Sequence, residues 1–276
     1  MKTGIFFSQH FKNIPGPIVG PKFINFPELL EKSLSKNNVE LFEHQPVDRE
    51  FLCRFHTKEM IDSLMSRTYS TNSLHSIGAV VKASKKIAEG NLRNALVFNS
   101  ASGHHAGPDY AWGGTYANCV RPATTILTEK YNFNKFSLID TDRHHGDGDR
   151  AFFLDDPAVQ HFCFCDEDYE DETNFCVDPG WTCTNDNYLK LVTDRYFPAA
   201  KEFKPQIIYH FLGHDTCEGD YGDIGLTQEV YVDLVQILKD LADEICDGRL
   251  VVISGGGARR DVAEYIFPRI AYLLSD

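Results

Sequence analysis

Ser137-Leu138-Ile139-Asp140-Thr141-Asp142-Arg143-His144-His145-Gly146-Asp147-Gly148-Asp149 decides how the rest of the chain is read. The apolar run Phe136 to Ile139 has the length of a buried strand and stops abruptly in charge and glycine. On an extended backbone Asp142 and His144 share one face, and Asp140 is expected on the other. A polar loop with an N-cap aspartate and two surface histidines would look much the same. That reading must also account for His104-His105 after the run Ala95 to Phe98, and for Asp215 after Gln206 to Leu212. Three strand ends carrying metal-binding and acid/base residue types favour a catalytic centre.

Composition narrows the class. The chain has 276 residues, 42% of them hydrophobic, which is ample for one large α/β core. Its 27 basic and 40 acidic residues give a formal net charge of -13. That argues against nucleic acid as a direct partner and against attachment to an anionic membrane surface. The apolar run near the N-terminus is too short for a signal-peptide core, so the expected location is cytoplasmic. Eight scattered cysteines then read as reduced thiols packed as small hydrophobes. Cys163, Cys165, Cys176 and Cys183 are a weak candidate for a structural zinc, because their spacing matches no standard knuckle.

Strand-like runs at 2–7, 39–42, 95–98, 136–139, 159–164, 206–212 and 250–253 alternate with helical patterns. Helices are expected over 26–34, 57–64 with Thr57 as cap, 74–88, 116–130, 188–200, 227–245 and 261–274. A proline- and glycine-rich loop at 13–20 follows the first strand, and the acidic run 166–172 reads as a solvated loop. Short continuous apolar strands between helices predict a mostly parallel sheet covered on both faces. The expectation is a single-domain three-layer α/β/α fold over residues 1–276, with its functional residues at the carboxyl ends of the strands.

Asp142, His144 and Asp215 make a one-histidine, two-carboxylate set suited to zinc with an open position for water. His104 and His105 are candidates for proton acceptor and donor, each needing an acceptor behind its other ring nitrogen. Asp140 and Asp147 are available for that. The implied chemistry is metal-assisted hydrolysis of an amide or related acyl bond.

These motifs resemble the zinc-dependent histone deacetylase and acetylpolyamine amidohydrolase family, whose fold is arginase-like. Ser102-Gly103-His104-His105-Ala106 is similar to the family's Pro-Gly-His-His-Ala. Gly113-Gly114-Thr115-Tyr116-Ala117-Asn118 resembles its Gly-Phe-Cys-Tyr-x-Asn. Asp140-Thr141-Asp142-Arg143-His144-His145-Gly146-Asp147-Gly148 follows its Asp-x-Asp-x-His-His-Gly-Asn/Asp-Gly signature. Gly213-His214-Asp215-Thr216, Leu226-Thr227 and Arg54-Phe55-His56-Thr57-Lys58-Glu59-Met60 add further likeness. The resemblance implies Asp142, His144 and Asp215 as zinc ligands, and His104 and His105 as the acid/base pair, oriented by Asp140 and Asp147 respectively. It also implies a monovalent cation such as K+ beside Asp140, Asp142 and His144, although Cys163 stands where a serine usually contributes.

Two departures bear on activity. The family's Gly-Gly-Gly-Tyr reads Gly255-Gly256-Gly257-Ala258 here, so the hydroxyl that steadies the oxyanion is missing, and Tyr221 and Arg259 are candidate replacements. Gly114 stands where a channel-lining phenylalanine is usual, which leaves that wall open unless Tyr110 or Trp112 leans in. The favoured expectation is a deacylase acting on an acylated lysine in a protein or peptide. The alternatives are an amidohydrolase for acylated polyamines or other small amides, with Glu218, Asp220 or Asp223 as carboxylate gatekeeper, and a zinc-binding homologue of impaired catalysis.

Overall fold

The computed structural model describes residues 2–12 and 21–276. The proline- and glycine-rich loop expected at 13–20 lies outside the described residues. Among the described residues, nine strands form one sheet: β1 (Lys2–Phe6), β2 (Val39–Phe42), β3 (Leu92–Val97), β4 (Phe136–Asp140), β5 (Val159–Cys163), β6 (Tyr169–Glu170), β7 (Asn174–Cys176), β8 (Ile207–Leu212) and β9 (Leu250–Ser254). Their order is β2-β1-β3-β9-β8-β4-β5-β7-β6. Every pairing is parallel except that of β6 with β7.

Both faces of the sheet are apolar because the strands are continuous apolar runs whose successive side chains point to opposite sides. In β9, Leu250 and Val252 enter one core with the helices Asn185–Phe203, Glu229–Ile245 and Arg260–Leu274. Val251 and Ile253 enter the other, with the helices Ser70–Ala88 and Val120–Tyr131. The result is the expected three-layer arrangement. The carboxyl ends of the central strands β3, β9, β8 and β4 open on one edge, where ligands bind in open α/β sheets.

Several local expectations are corrected. The helix expected from 116 begins at Val120, because the Asn118 side-chain oxygen accepts from the backbone N–H groups of Val120 (3.0 Å) and Arg121 (2.8 Å). Pro122 therefore sits in the first turn, where a missing N–H costs no hydrogen bond. The segment expected as one helix at 26–34 is a 3₁₀ turn, Glu28–Leu30, followed by the short helix Glu31–Leu34. Thr57 does precede the helix Lys58–Met65, but its side chain makes no capping bond. The acidic run 166–172 is mostly exposed and still contributes β6, a two-residue edge strand. A helix not anticipated, Asp147–Phe153, starts inside the glycine-rich end of the motif. Gly148 lets this helix close on the histidine loop, since a Cβ there would lie 2.4–2.7 Å from the Ala106 backbone.

Candidate active site

The strand ends bring Asp142, His144 and Asp215 together. One donor atom from each lies within 4.8 Å of the others. The His144 ring Nδ1 is 3.1 Å from an Asp142 oxygen and 3.0 Å from an Asp215 oxygen. Asp142 and Asp215 are buried, whereas the His144 side chain is 37% exposed, so the cluster has a closed floor and an open side. Two buried carboxylates side by side require positive charge. Hydrogen bonds to Asp142 and then Asp215 accordingly raise His144 to about 10. Burial and the neighbouring Asp142 charge push Asp215 up to about 7. Burial opposes the Asp142 charge, yet His104 and His144 hold its carboxyl below the usual range. Convergent imidazole nitrogen and carboxylate oxygens at these separations fit a small divalent cation.

The histidine pair sits beside this cluster, on the loop after β3. His104 Nδ1 is 2.6 Å from Asp140 Oδ2, and His105 Nδ1 is 2.7 Å from Asp147 Oδ1. Each carboxylate thus fixes its histidine with the proton on Nδ1 and frees Nε2. The two environments differ. Burial works against a charge on His104, but Asp140 and Asp142 prevail and raise it to about 10. Burial lowers His105, with the Asp147 hydrogen bond opposing and the charge of His104 adding to the lowering. The pair therefore offers one charged and one neutral ring.

The expectation that Asp140 faces away from Asp142 is wrong. Residues two apart on an extended chain share a face. Asp140 Oδ1 accepts the Asp142 backbone N–H at 3.0 Å, while the Asp142 carboxylate lies 3.8 Å from His104 Nε2.

A cavity of about 380 Å³ opens over these groups, lined in part by His104, His105, Asp142, His144, Trp112 and Tyr221. Gly114 lines it too, at φ +80°, a backbone that a phenylalanine adopts only with strain. Trp112 leans in: its ring centroid is 3.9 Å from that of His105, and its indole N–H donates to Asp147 Oδ2 at 2.9 Å. Tyr110 instead packs on Gly107 and donates to the Asp147 carbonyl at 3.1 Å.

Of the two candidate replacements for the missing tyrosine, only Tyr221 reaches the cavity. Asp220 accepts from the N–H groups of Ala258 (2.9 Å) and Arg259 (3.0 Å), which draws the two loops together. The Tyr221 hydroxyl then accepts the Gly257 N–H at 2.8 Å, leaving its own proton free to donate. Burial, then Asp142 and Asp215, push that hydroxyl far above the ordinary phenol range, so it stays protonated. Arg259 is a correction. Its guanidinium donates to the Glu218 carbonyl and to Asp261, and it lies outside the cavity lining. The gatekeeper candidates also lie outside that lining. Asp220 is committed as above, and Asp223 accepts from Gly219 and Gly225 N–H groups.

Sequence reasoning missed two site residues. Lys22 is buried in the cavity wall and donates to the carbonyls of Gly255 and Gly257, both at 2.9 Å, with burial lowering it to about 8. Asp149, pushed up to about 7 by burial, accepts from Asn118 at 2.6 Å and lies behind the histidine loop. Neither carried a signal, since one lysine after a proline and one more aspartate in an acidic motif are unremarkable in a linear pattern.

Comparison with known proteins bears on this geometry. The sequence profile of the histone deacetylase domain matches residues 22–271. "Histone deacetylase 9" of Homo sapiens is 29% identical over 220 residues, 67% of this chain and 21% of the relative. "Probable deacetylase" of Archaeoglobus fulgidus is 27% identical over 200 residues, 67% of this chain and 55% of the relative. "Polyamine deacetylase HDAC10" of Danio rerio is 26% identical over 221 residues, 72% of this chain and 32% of the relative. The matched stretch is thus less than two thirds of each relative's length. The crystal structure of the HDA15 HD domain superposes with a TM-score of 0.83 at 20% identity, covering 99% of this chain and 89% of that one, which shows a shared fold.

Proposed function

The chain belongs to the histone deacetylase domain family, and on that footing we propose that it is a single-domain zinc-dependent deacylase hydrolysing the amide of an acylated lysine in a protein or peptide. The observation that carries this reading is the meeting of two sets of groups at one cavity: Asp142, His144 and Asp215 as zinc ligands, and His104 and His105 as the acid/base pair backed by Asp140 and Asp147. Zinc held there supplies an acidified water and a Lewis acid for the amide carbonyl.

The remaining work falls to the protein's own side chains. His105, neutral and bound through Nδ1 to Asp147, accepts a proton at Nε2 from the attacking water. His104, charged beside Asp140, puts positive charge next to the developing oxyanion and a proton within reach of the departing amine. The Tyr221 hydroxyl, placed by its bond from Gly257, donates to that oxyanion in place of the absent tyrosine at 258. Asp147 also receives the Trp112 indole N–H, so the residue that orients His105 is itself oriented.

Gly114 adds no side chain to the pocket wall but Trp112 leans in beside it, so the room for an acyl group wider than acetyl rests on the cavity's volume of about 380 Å³, part of it lined by Ser100 and Ser102. The polyamine reading is weaker, because none of Glu218, Asp220 and Asp223 lines the cavity. A K+ ion beside Asp140 is also disfavoured, since the Cys163 sulfur offers a soft donor where a hard cation prefers oxygen.

The test is acyl release by the zinc-loaded protein from acetyl-lysine peptides, longer acyl-lysine peptides and acetylspermidine. Faster turnover of the longer acyl-lysines is expected. Turnover confined to acetylspermidine would replace the substrate class, and equal rates on acetyl- and longer acyl-lysine would remove the pocket-width argument.

A further inference from the structure

A second set of metal donors lies outside the proposed hydrolytic centre. His145, Cys165 and Cys176 each offer an atom within 4.8 Å of the others. The His145 Nδ1 is 3.6 Å from the Cys165 sulfur and 3.4 Å from the Cys176 sulfur. None of the eight cysteines is in a disulfide. The sheet assembles this set. Cys163 ends β5, and Cys165, two residues on, joins Cys163 and Cys176 in one buried thiol cluster. Cys176 on β7 stands directly opposite Cys163 in the parallel register. His145 arrives from the loop after β4. Cys183, grouped with the other three from sequence, belongs elsewhere: it is partly exposed, with its sulfur donating to the Thr184 carbonyl, and His145 takes its place.

Buried thiols commonly serve as small hydrophobes. Two features distinguish this group. Its atoms have the spacing of a metal polyhedron: a tetrahedral zinc, with bonds of about 2.3 Å to sulfur and about 2.0–2.1 Å to nitrogen, holds those atoms roughly 3.5 Å apart. Its surroundings are polar. An Arg150 guanidinium nitrogen lies 3.6 Å from the Cys176 sulfur, and the far nitrogen of His145 lies 3.9 Å from Glu167, where a carboxylate commonly backs a metal-binding imidazole.

We propose that His145, Cys165 and Cys176 bind a second, structural zinc-type ion, with the fourth position taken by water. The ion ties the β5–β7 edge of the sheet to the loop that carries His144 and leads into the helix Asp147–Phe153. Cobalt separates the two sites, because only this one contains sulfur. The full chain, stripped of metal by chelation and titrated with Co2+, is expected to develop a near-ultraviolet sulfur-to-cobalt charge-transfer band that saturates by two equivalents, when both sites are filled. Asp215→Ala should keep the band at full intensity. Cys176→Ser and Cys165→Ser, each keeping one thiolate, should lower it to about half or less, and the double serine variant should lose it while still taking up cobalt at the other site. Folded wild-type protein that takes up cobalt without the band, or a band undiminished in the double serine variant, overturns the proposal. If the serine variants fail to fold, the wild-type and Asp215→Ala spectra still decide it. No activity is read, so failure of the deacylase assignment leaves this test intact.

Discussion

His144 and His145 are consecutive in the chain, yet their rings join donor sets of opposite character. His144 meets two carboxylates at the floor of an open cavity, and its side chain is 37% exposed. His145 meets two buried thiols at the sheet edge, and its side chain is 15% exposed. Open sites with hard or borderline donors suit catalysis, whereas closed thiol-rich sites suit structural metal. If both proposals hold, one loop of a few residues divides chemistry from support, and the two sides should respond differently to substitution.

The largest effects belong to the cavity side. His105→Ala should lower kcat by about 10²–10⁴-fold, the usual range for a positioned acid/base, with cobalt still giving the sulfur band at full intensity. Loss of that band in the same variant would mean that the two sets are not separable. Tyr221→Phe removes only a hydroxyl and should cost about 10²–10³-fold in kcat with little change in KM. An unchanged kcat would return the oxyanion role to another group.

Changes on the thiol side should be smaller in rate and larger in stability. Cys176→Ser is expected to reduce turnover by less than about tenfold while lowering the melting temperature by about 5 °C or more, through loss of a ligand that binds only the folded chain. A drop in kcat equal to that of His105→Ala would place the thiols in the reaction.

The smallest effect probes the scaffold behind the histidine pair. His56 accepts the Asn118 N–H at Nε2 (3.1 Å), and its Nδ1 donates to the Gly107 carbonyl (2.8 Å), so the neutral ring satisfies both neighbours of the His104–His105 loop. Burial lowers its pKa from 6.5 to about 4. The unfolded chain therefore takes up this proton first. The His56 contribution is complete above about pH 6.5 and is lost as pH falls toward 4, by up to about 3 kcal/mol. Chemical denaturation at stepped pH should show a shallower decline in His56→Gln, and an identical decline would locate the acid sensitivity elsewhere.

The contrast between the two sets also marks what can be read from a linear sequence. Strands β3, β4 and β8 are legible because each is an apolar run that ends in polar residues or glycine. The set Asp142, His144 and Asp215 was legible because each residue closes or follows such a run. The thiol set was only half legible. Cys163, Cys165 and Cys176 were grouped correctly, but the parallel register that pairs Cys176 with Cys163 is a long-range fact, and no spacing rule brings in His145 rather than Cys183. The linear sequence offers Tyr221 and Arg259 without distinguishing them. The choice is made by Asp220, which bridges to the Ala258 and Arg259 backbone from another loop. Helix Asp147–Phe153 is hidden because Gly146, Asp147, Gly148 and Asp149 at its start depress helix propensity, while contact with Ala106 stabilises it.

The most direct test of the central claim is the rate of acyl release from an acyl-lysine peptide by the zinc-loaded protein, measured beside Asp142→Ala at matched zinc. Steady turnover by the wild type is expected, with a loss of about 10³-fold or more in the variant and the sulfur-bound cobalt band unchanged. Equal rates in the two proteins, or no turnover by a folded, zinc-loaded wild type on any acyl-lysine, would contradict it.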